Sequence, residues 1–189
     1  MDNLIKRAKK GDMDAFSVLV STHEQKAINF AYRMLKDSHE AEDAVQEAFL
    51  RAFDKISTFR ENSSFSTWFF TILNNICLDI LRKHSKSATV ISIHQEDTND
   101  DKYELQIEDK SSGPYEELQK KEAASVLEKA LKELSEEHRA VIVLRDINDF
   151  EYDEIARILG ISLGTVKSRL SRARISLRKI LEDSKELFL

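Results

Sequence analysis

Four glycines and one proline in 189 residues leave this chain few means of turning sharply. An all-β fold needs a turn every ~8–12 residues and is excluded on that ground. The expectation is an all-α fold. Hydrophobic residues at 41% supply a core, and charged residues at 33% demand a densely charged surface. The length suits one ordinary domain or two small ones. The longest apolar runs, such as Ala140–Leu144, fall far short of the ~20 residues that cross a bilayer. The opening MDNLIKRAKKGD has no stretch of signal-peptide type. One Cys excludes an internal disulfide framework, and no Cys/His spacing suggests a metal site. A reduced, cytoplasmic protein with no cofactor, no metal and no membrane insertion of its own is expected.

Apolar periodicity predicts helices over 2–10, from Asp12 or Asp14 to about Met34, and over 39–54, 66–83, 115–134, 136–146, 152–159 and 163–182. Ser57–Phe65 reads as a loop, with Ser66 capping the helix after it. Residues 85–113 lose periodicity and close on Gly113 and Pro114; VISI at 90–93 fits a short strand. A connector of about 30 residues exceeds the usual loop length. It divides the chain into 1–85, an acidic linker 86–118, and 119–189.

Charge follows the same division. Residues 1–85 carry 12 basic and 12 acidic side chains, 86–118 carry three and nine, and 119–189 carry 14 and 13. Between Ile155 and Leu181 there is no acid, but there are Arg157, Lys167, Arg169, Arg172, Arg174, Arg178 and Lys179. Solvated helix faces usually mix signs, so this local field favours phosphate despite a net charge of −5.

The basic segment has the form of a helix-turn-helix. Glu151–Leu159 is a short amphipathic helix, Gly160 suits a left-handed stop, and Ser162 can cap the next helix. Val166, Leu170, Ala173 and Leu177 form its apolar stripe. Thr165, Lys167, Ser168, Ser171, Arg172, Ile175 and Lys179 face outward, as a major-groove reader requires. Gly164 costs about 1 kcal/mol against Ala in a helix. A close approach of backbone to a partner would account for it.

In the helix 39–54, Asp43, Gln46, Glu47, Leu50 and Asp54 lie opposite the apolar stripe. They suit either a basic protein partner or a solvated face. The helix 66–83 is apolar on most sides and carries Asn74 and Asn75 in its middle, followed by Arg82 and Lys83. Those amides suit base edges and nearby backbone equally. Cys77 sits among apolar neighbours, and the five His are expected at the surface.

Three segments, HEAEDAVQEAFLRAF (39–53), FRENSSFSTWFFTILNNICLDILRK (59–83) and YDEIARILGISLGTVKSRLSRARISLRK (152–179), together resemble the extracytoplasmic-function class of bacterial RNA polymerase sigma factors. The resemblance covers nearly the whole chain outside 85–113. It implies two small helical domains, 1–85 and 119–189, on either side of the linker, and a promoter-specificity subunit rather than an enzyme. It places Asp43, Gln46, Glu47 and Leu50 on core polymerase. It places Arg60, Asn62, Ser63, Ser64, Phe65, Asn74, Asn75, Asp79, Arg82 and Lys83 at the minus-ten element, where DNA is melted and a non-template base captured. It places Ser162, Thr165, Lys167, Ser168, Arg169, Ser171, Arg172 and Arg174 at the minus-thirty-five element. Thr71 departs from the pattern, standing where a basic residue is common. An anti-sigma factor, often membrane-bound, is a further implied partner.

Two other functions compete. A free-standing helix-turn-helix regulator explains 119–189 but leaves the acidic stripe and the aromatic helix idle. A nuclease lacks any carboxylate or His cluster for a metal. The acidic linker suits either a mimic of RNA in the polymerase or a simple soluble tether.

Overall fold

The structure, a computed structural model, describes residues 2–60, 62–90 and 114–186, with side chains for 3–60, 62–86 and 122–183. Among these residues there are eight α-helices and no strand. In order they are α1 (Asp2–Ala8), α2 (Met13–Leu35), α3 (Ser38–Lys55), a 3₁₀ turn (Ile56–Thr58), α4 (Phe65–Val90), α5 (Pro114–Glu133), α6 (Glu136–Ile142), a π-helical turn (Val143–Ile147), α7 (Tyr152–Leu159) and α8 (Leu163–Glu186).

Short polar side chains set the helix starts. Asp12 Oδ1 accepts from the Ala15 amide at 3.0 Å, and Asp37 Oδ1 from the Glu40 amide at 2.8 Å. Each satisfies an N–H that has no partner within its own helix. At α4 the cap is Ser64, not the expected Ser66. Its Oγ accepts from the Thr67 amide at 3.1 Å, and its carbonyl accepts the first helical bond, from Trp68. The helix then runs on to Val90 instead of stopping near Lys83, because Ser85 to Thr89 include no Gly or Pro to end it. The strand expected over 90–93 meets helix at Val90 and otherwise lies, like the rest of the linker up to 113, outside the described residues.

In the N-terminal half, α2, α3 and α4 pack on one another and α1 lies against α2. Their core is aromatic. Phe49 stacks on Phe69 at 4.4 Å between centroids, Phe70 meets Phe69 edge-on at 5.7 Å, and Phe30 meets Phe70 at 5.6 Å. Burying each such ring contributes about 1.5–3 kcal/mol. His23 is part of this core, contrary to the surface position expected of it. It is 7% exposed, donates from Nδ1 to the Leu19 carbonyl and packs edge-on against Phe65. In the C-terminal half, α8 packs on α5, α6 and α7 through Val166, Leu170 and Ala173.

The two halves share one continuous buried core. The α7 helix lies along α4, and α2 touches α5, α6 and the π turn. Phe150, set just past that turn, meets Phe70 edge-on at 4.8 Å. Arg33 of α2 pairs with Glu128 of α5 at 2.7 Å, with side chains only 5% and 17% exposed. Arg139 of α6 is 2% exposed and donates to the carbonyls of Leu131 and Leu134 in its own half and of Arg33 and Met34 in the other. The C-terminal ends of α2 and α5 thus converge on one guanidinium, which suits the partial negative charge of both.

Candidate nucleic-acid and polymerase interfaces

The reading surface of α8 is built from its start. Ser162 Oγ accepts from the Thr165 amide at 3.1 Å and lies 2.8 Å from the Thr165 hydroxyl. Ahead of it, Gly160 at φ +65 closes α7, with the Ile161 amide donating to the Ala156 carbonyl at 3.0 Å. A Cβ added to Gly164 would meet only Ser162 Oγ, at 3.8 Å, so no packing within the chain requires glycine there. Ser162, Lys167, Ser168, Ser171 and Arg172 are exposed, and Thr165 is half-buried. Two expected readers are held differently. Arg169 pairs with Glu137 of α6 at 2.8 Å, and Arg174 grips Asp146 of the π turn through both Nε and Nη2. That pairing raises the Arg174 pKa. Both arginines tie α8 to its neighbours.

The loop before α4 is stapled at both ends by aromatic rings. Phe59 and Phe65 are buried, their centroids 6.2 Å apart, and both touch Trp68, at 5.1 and 5.7 Å. Arg60, Asn62 and Ser64 stand exposed between the staples, and Ser63 is half-buried. Phe65 itself is 3% exposed and belongs to the staple.

The adjacent amides of α4 part company. Asn75 is exposed in line with Asp79, Arg82 and Lys83, and Asp79 pairs with Arg82 at 3.1 Å. Asn74 is 1% exposed, and its Oδ1 has no hydrogen-bond partner. Its register matches Thr67 and Phe70, the stripe on which α7 lies. There Glu154 Oε1 accepts from Thr67 Oγ1 at 2.7 Å and from Ser64 Oγ at 3.1 Å, so a carboxylate of the C-terminal half sits on the start of α4. Burial works to raise the Glu154 pKa. The Thr67 hydroxyl, the Glu151 amide, the Ser64 hydroxyl and the Arg157 charge outweigh burial and hold the carboxyl below the usual glutamate value.

On α3, Ala41, Ala44, Val45, Ala48 and Ala52 are buried, while Asp43 and Gln46 are exposed. Glu47 pairs with Arg51 at 2.7 Å. Leu50 stands 63% exposed within this acidic stripe. Cys77 is fully buried, its thiol pKa pushed up by burial to about 12, which makes it inert. Among the described residues no His, Cys, Asp and Glu group has the arrangement of a metal site, and no helix is long and apolar enough to cross a membrane.

The site search from sequence missed Glu154 and Arg139. Both were visible only as charges in amphipathic helices, and their partners lie on elements about 90 and 105 residues away.

Two helical halves, one with an aromatic-stapled loop and one with a basic helix-turn-helix, define a transcription-initiation factor of the sigma-70 type. Residues 19–87 match the Sigma-70 region 2 family, and residues 124–177 match Sigma-70, region 4. The chain belongs to the extracytoplasmic-function (ECF) RNA polymerase sigma factors. It is similar to the ECF RNA polymerase sigma factor SigW of Bacillus subtilis (strain 168), with 38% identity over 95% of both chains. It is also similar to the ECF RNA polymerase sigma-E factor of Escherichia coli (strain K12), with 32% identity over 90% of this chain and 88% of that one. Among solved structures it resembles CnrH in complex with the cytosolic domain of CnrY, with a TM-score of 0.67, 25% identity, and coverage of 95% of this chain and 96% of that one. Sigma factor RpoE in complex with the anti-sigma factor NepR from Bartonella quintana also gives a TM-score of 0.67, with 28% identity over 88% of this chain and 96% of that one. As a sigma factor the chain binds core RNA polymerase and directs it to promoters. The related proteins are not enzymes in the usual sense.

Proposed function

We propose that this chain is a non-catalytic, cytoplasmic subunit with its work divided between residues 1–85 and 119–189. Asp43, Gln46, Glu47 and Leu50 of α3 dock on core polymerase. Arg60, Asn62, Ser63 and Ser64, with Asn75, Asp79, Arg82 and Lys83 of α4, hold the non-template strand at the minus-ten element. Phe65 shapes the loop from within, and Asn74 joins that surface only when α7 leaves α4. Ser162, Thr165, Lys167, Ser168, Ser171 and Arg172 read the minus-thirty-five element, and Arg169 and Arg174 hold α8 in place for it. An anti-sigma factor is a partner of the same arrangement. Two solved structures similar to this chain across both halves hold a bound partner, the cytosolic domain of CnrY in one and the anti-sigma factor NepR in the other.

The observation that carries the reading is the outer face of α8. Lys167, Ser168, Ser171 and Arg172 are exposed together on a helix whose opposite side is buried. A major groove needs that arrangement. Run-off transcription of genomic fragments tests it, with core polymerase alone and with this protein added. New start sites are expected only with the protein present. Tight, site-specific gel shifts without polymerase, and no new transcripts with it, would point to a free-standing regulator instead.

A further inference from the structure

Ile175 stands on the outer face of α8, and no function assigned above uses it. It is 67% exposed. Among the described residues of the C-terminal half, the other large apolar side chain left exposed is Leu163, in the first turn of α8 and about 120° round the helix from Ile175. At 3.6 residues per turn, Ile175 comes out about 180° from the buried Val166 and about 20° from Ser168. It therefore lies at the centre of the exposed face. Gly164, Ser168, Ser171 and Ile175 follow one another along this line, all exposed. Lys167 flanks the line on one side, and Arg172 and Lys179 flank it on the other.

Side-chain size grows along the line. Gly164 offers no side chain, and Ser168 turns its hydroxyl back to donate to the Thr165 carbonyl at 3.1 Å. The middle of the face stays low as far as Ser171, and Ile175 is the first side chain to stand out from it. A helix of this shape enters a major groove with its N-terminal turns deepest. The flanking Lys and Arg reach round to base edges or phosphates, and Ile175 fills the wider gap at the far end. From Ser168 to Ile175 the axis advances about 10.5 Å, which keeps Ile175 within a groove about 12 Å wide. The apolar group on that groove's floor is the C5-methyl of thymine; every other edge atom that marks a base there is a hydrogen-bond donor or acceptor. Ile175 lies one turn, about 4.5 Å, past Arg172, against a spacing of about 3.4 Å between base pairs.

We propose that Ile175 reads the C5-methyl of a thymine next to the base pair addressed by Arg172, on the side away from Lys167. The proposal deepens the assignment of α8 to the minus-thirty-five element and rests on it. The alternative is a lone apolar side chain in water, which is ordinary on protein surfaces. A place at the centre of the reading face, in line with three small residues, favours the methyl group.

The test uses holoenzyme assembled from core polymerase and the full chain, with promoter duplexes in competition binding. Each base pair of the minus-thirty-five element and its immediate flanks is set in turn to T·A and to A·T. Each is made once with thymine and once with deoxyuridine, which lacks only the methyl group. Wild type should prefer thymine about fourfold, the worth of one buried methyl group, at a position beside the pair that Arg172→Ala ceases to discriminate. Ile175→Ala should bind thymine and deoxyuridine alike there, at the wild-type affinity for deoxyuridine. Ile175→Val should keep most of the preference. Ile175 is exposed, so alanine removes no core packing, and a ratio measured on one protein does not depend on how much of it is folded. If Arg172→Ala and Lys167→Ala discriminate bases as wild type does, the minus-thirty-five assignment of α8 fails and the Ile175 contact fails with it. If those variants lose discrimination but no position shows a methyl preference that Ile175→Ala abolishes, the Ile175 contact alone is overturned. Equal weakening of thymine and deoxyuridine duplexes by Ile175→Ala would place the side chain on the DNA backbone. Reduced assembly with core polymerase, at an unchanged methyl preference, would place it on the polymerase. Either result also overturns the contact.

Discussion

Arg139 takes its charge into the interior with carbonyl oxygens as its hydrogen-bond partners. Burial lowers its pKa, and the charge of Glu136 acts in the opposite sense. Arg139→Lys keeps the charge but replaces a planar fork with a point donor that cannot reach both helix ends. Stability should fall by about 1–3 kcal/mol, the cost of buried groups left unpaired, measured as a shift in urea midpoint. An unchanged midpoint would mean that water replaces the fork. Asn74 is the opposite case, a buried amide whose Oδ1 lacks a partner. Asn74→Leu removes that liability and should stabilise the fold by about 1 kcal/mol. Asn75→Ala should leave stability alone and impair promoter melting in permanganate footprints. The sequence shows two equal amides here. Spacing says which face a residue takes, and only the packing of other helices on α4 makes one face an interior.

At the scale of elements, most of the chain was legible because its helices are amphipathic and punctuated. Asp12, Gly160 and Ser162 mark the ends they were expected to mark. The π turn at Val143–Ile147 was not. Its residues continue the apolar run of α6, and periodicity does not distinguish a widened turn from an ordinary one. Likewise the expected stop near Lys83 rested on fading amphipathicity, which measures contact with a core, whereas a helix can continue past its contacts. The exposed Arg172 and the paired Arg174 of α8 yield a test of what each side chain does. Arg172→Ala should cost about 1–3 kcal/mol in discrimination between wild-type and altered minus-thirty-five duplexes, the range for a bidentate base contact. Arg174→Ala loses a half-exposed pair with Asp146 and should cost under about 1 kcal/mol in stability, with base preference retained. Equal loss of selectivity in both variants would reject this division.

Across the whole molecule, the composition break around the linker is plain in the sequence, but the packing of one half on the other is not. That packing depends on pairs far apart in the chain: Arg33 with Glu128, Phe70 with Phe150, and Glu154 with Ser64 and Thr67. It is a mixed surface, in which an ion pair, a buried guanidinium on carbonyls and a carboxylate on two hydroxyls accompany the ring contact. Glu154→Ala should therefore loosen the halves at neutral pH, seen as a larger radius of gyration in small-angle scattering. Because the Glu154 pKa is lowered in the packed state, its contribution is present above the ordinary value of 4.5 and is lost as pH falls below it. A scattering profile identical to wild type would show that the apolar contacts suffice alone.

Glu154 already occupies hydroxyls at the mouth of the stapled loop, and a strand that uses Ser64 there competes with it. Opening costs the same whatever the DNA sequence, and it multiplies every apparent affinity by the fraction of molecules already open. A site that engages only one half meets that cost with a single set of contacts, whereas a promoter at the right spacing meets it with two. The contact of Glu154 with the start of α4 thus gives the molecule the character of a coincidence detector, in which accuracy comes from requiring two weak signals together.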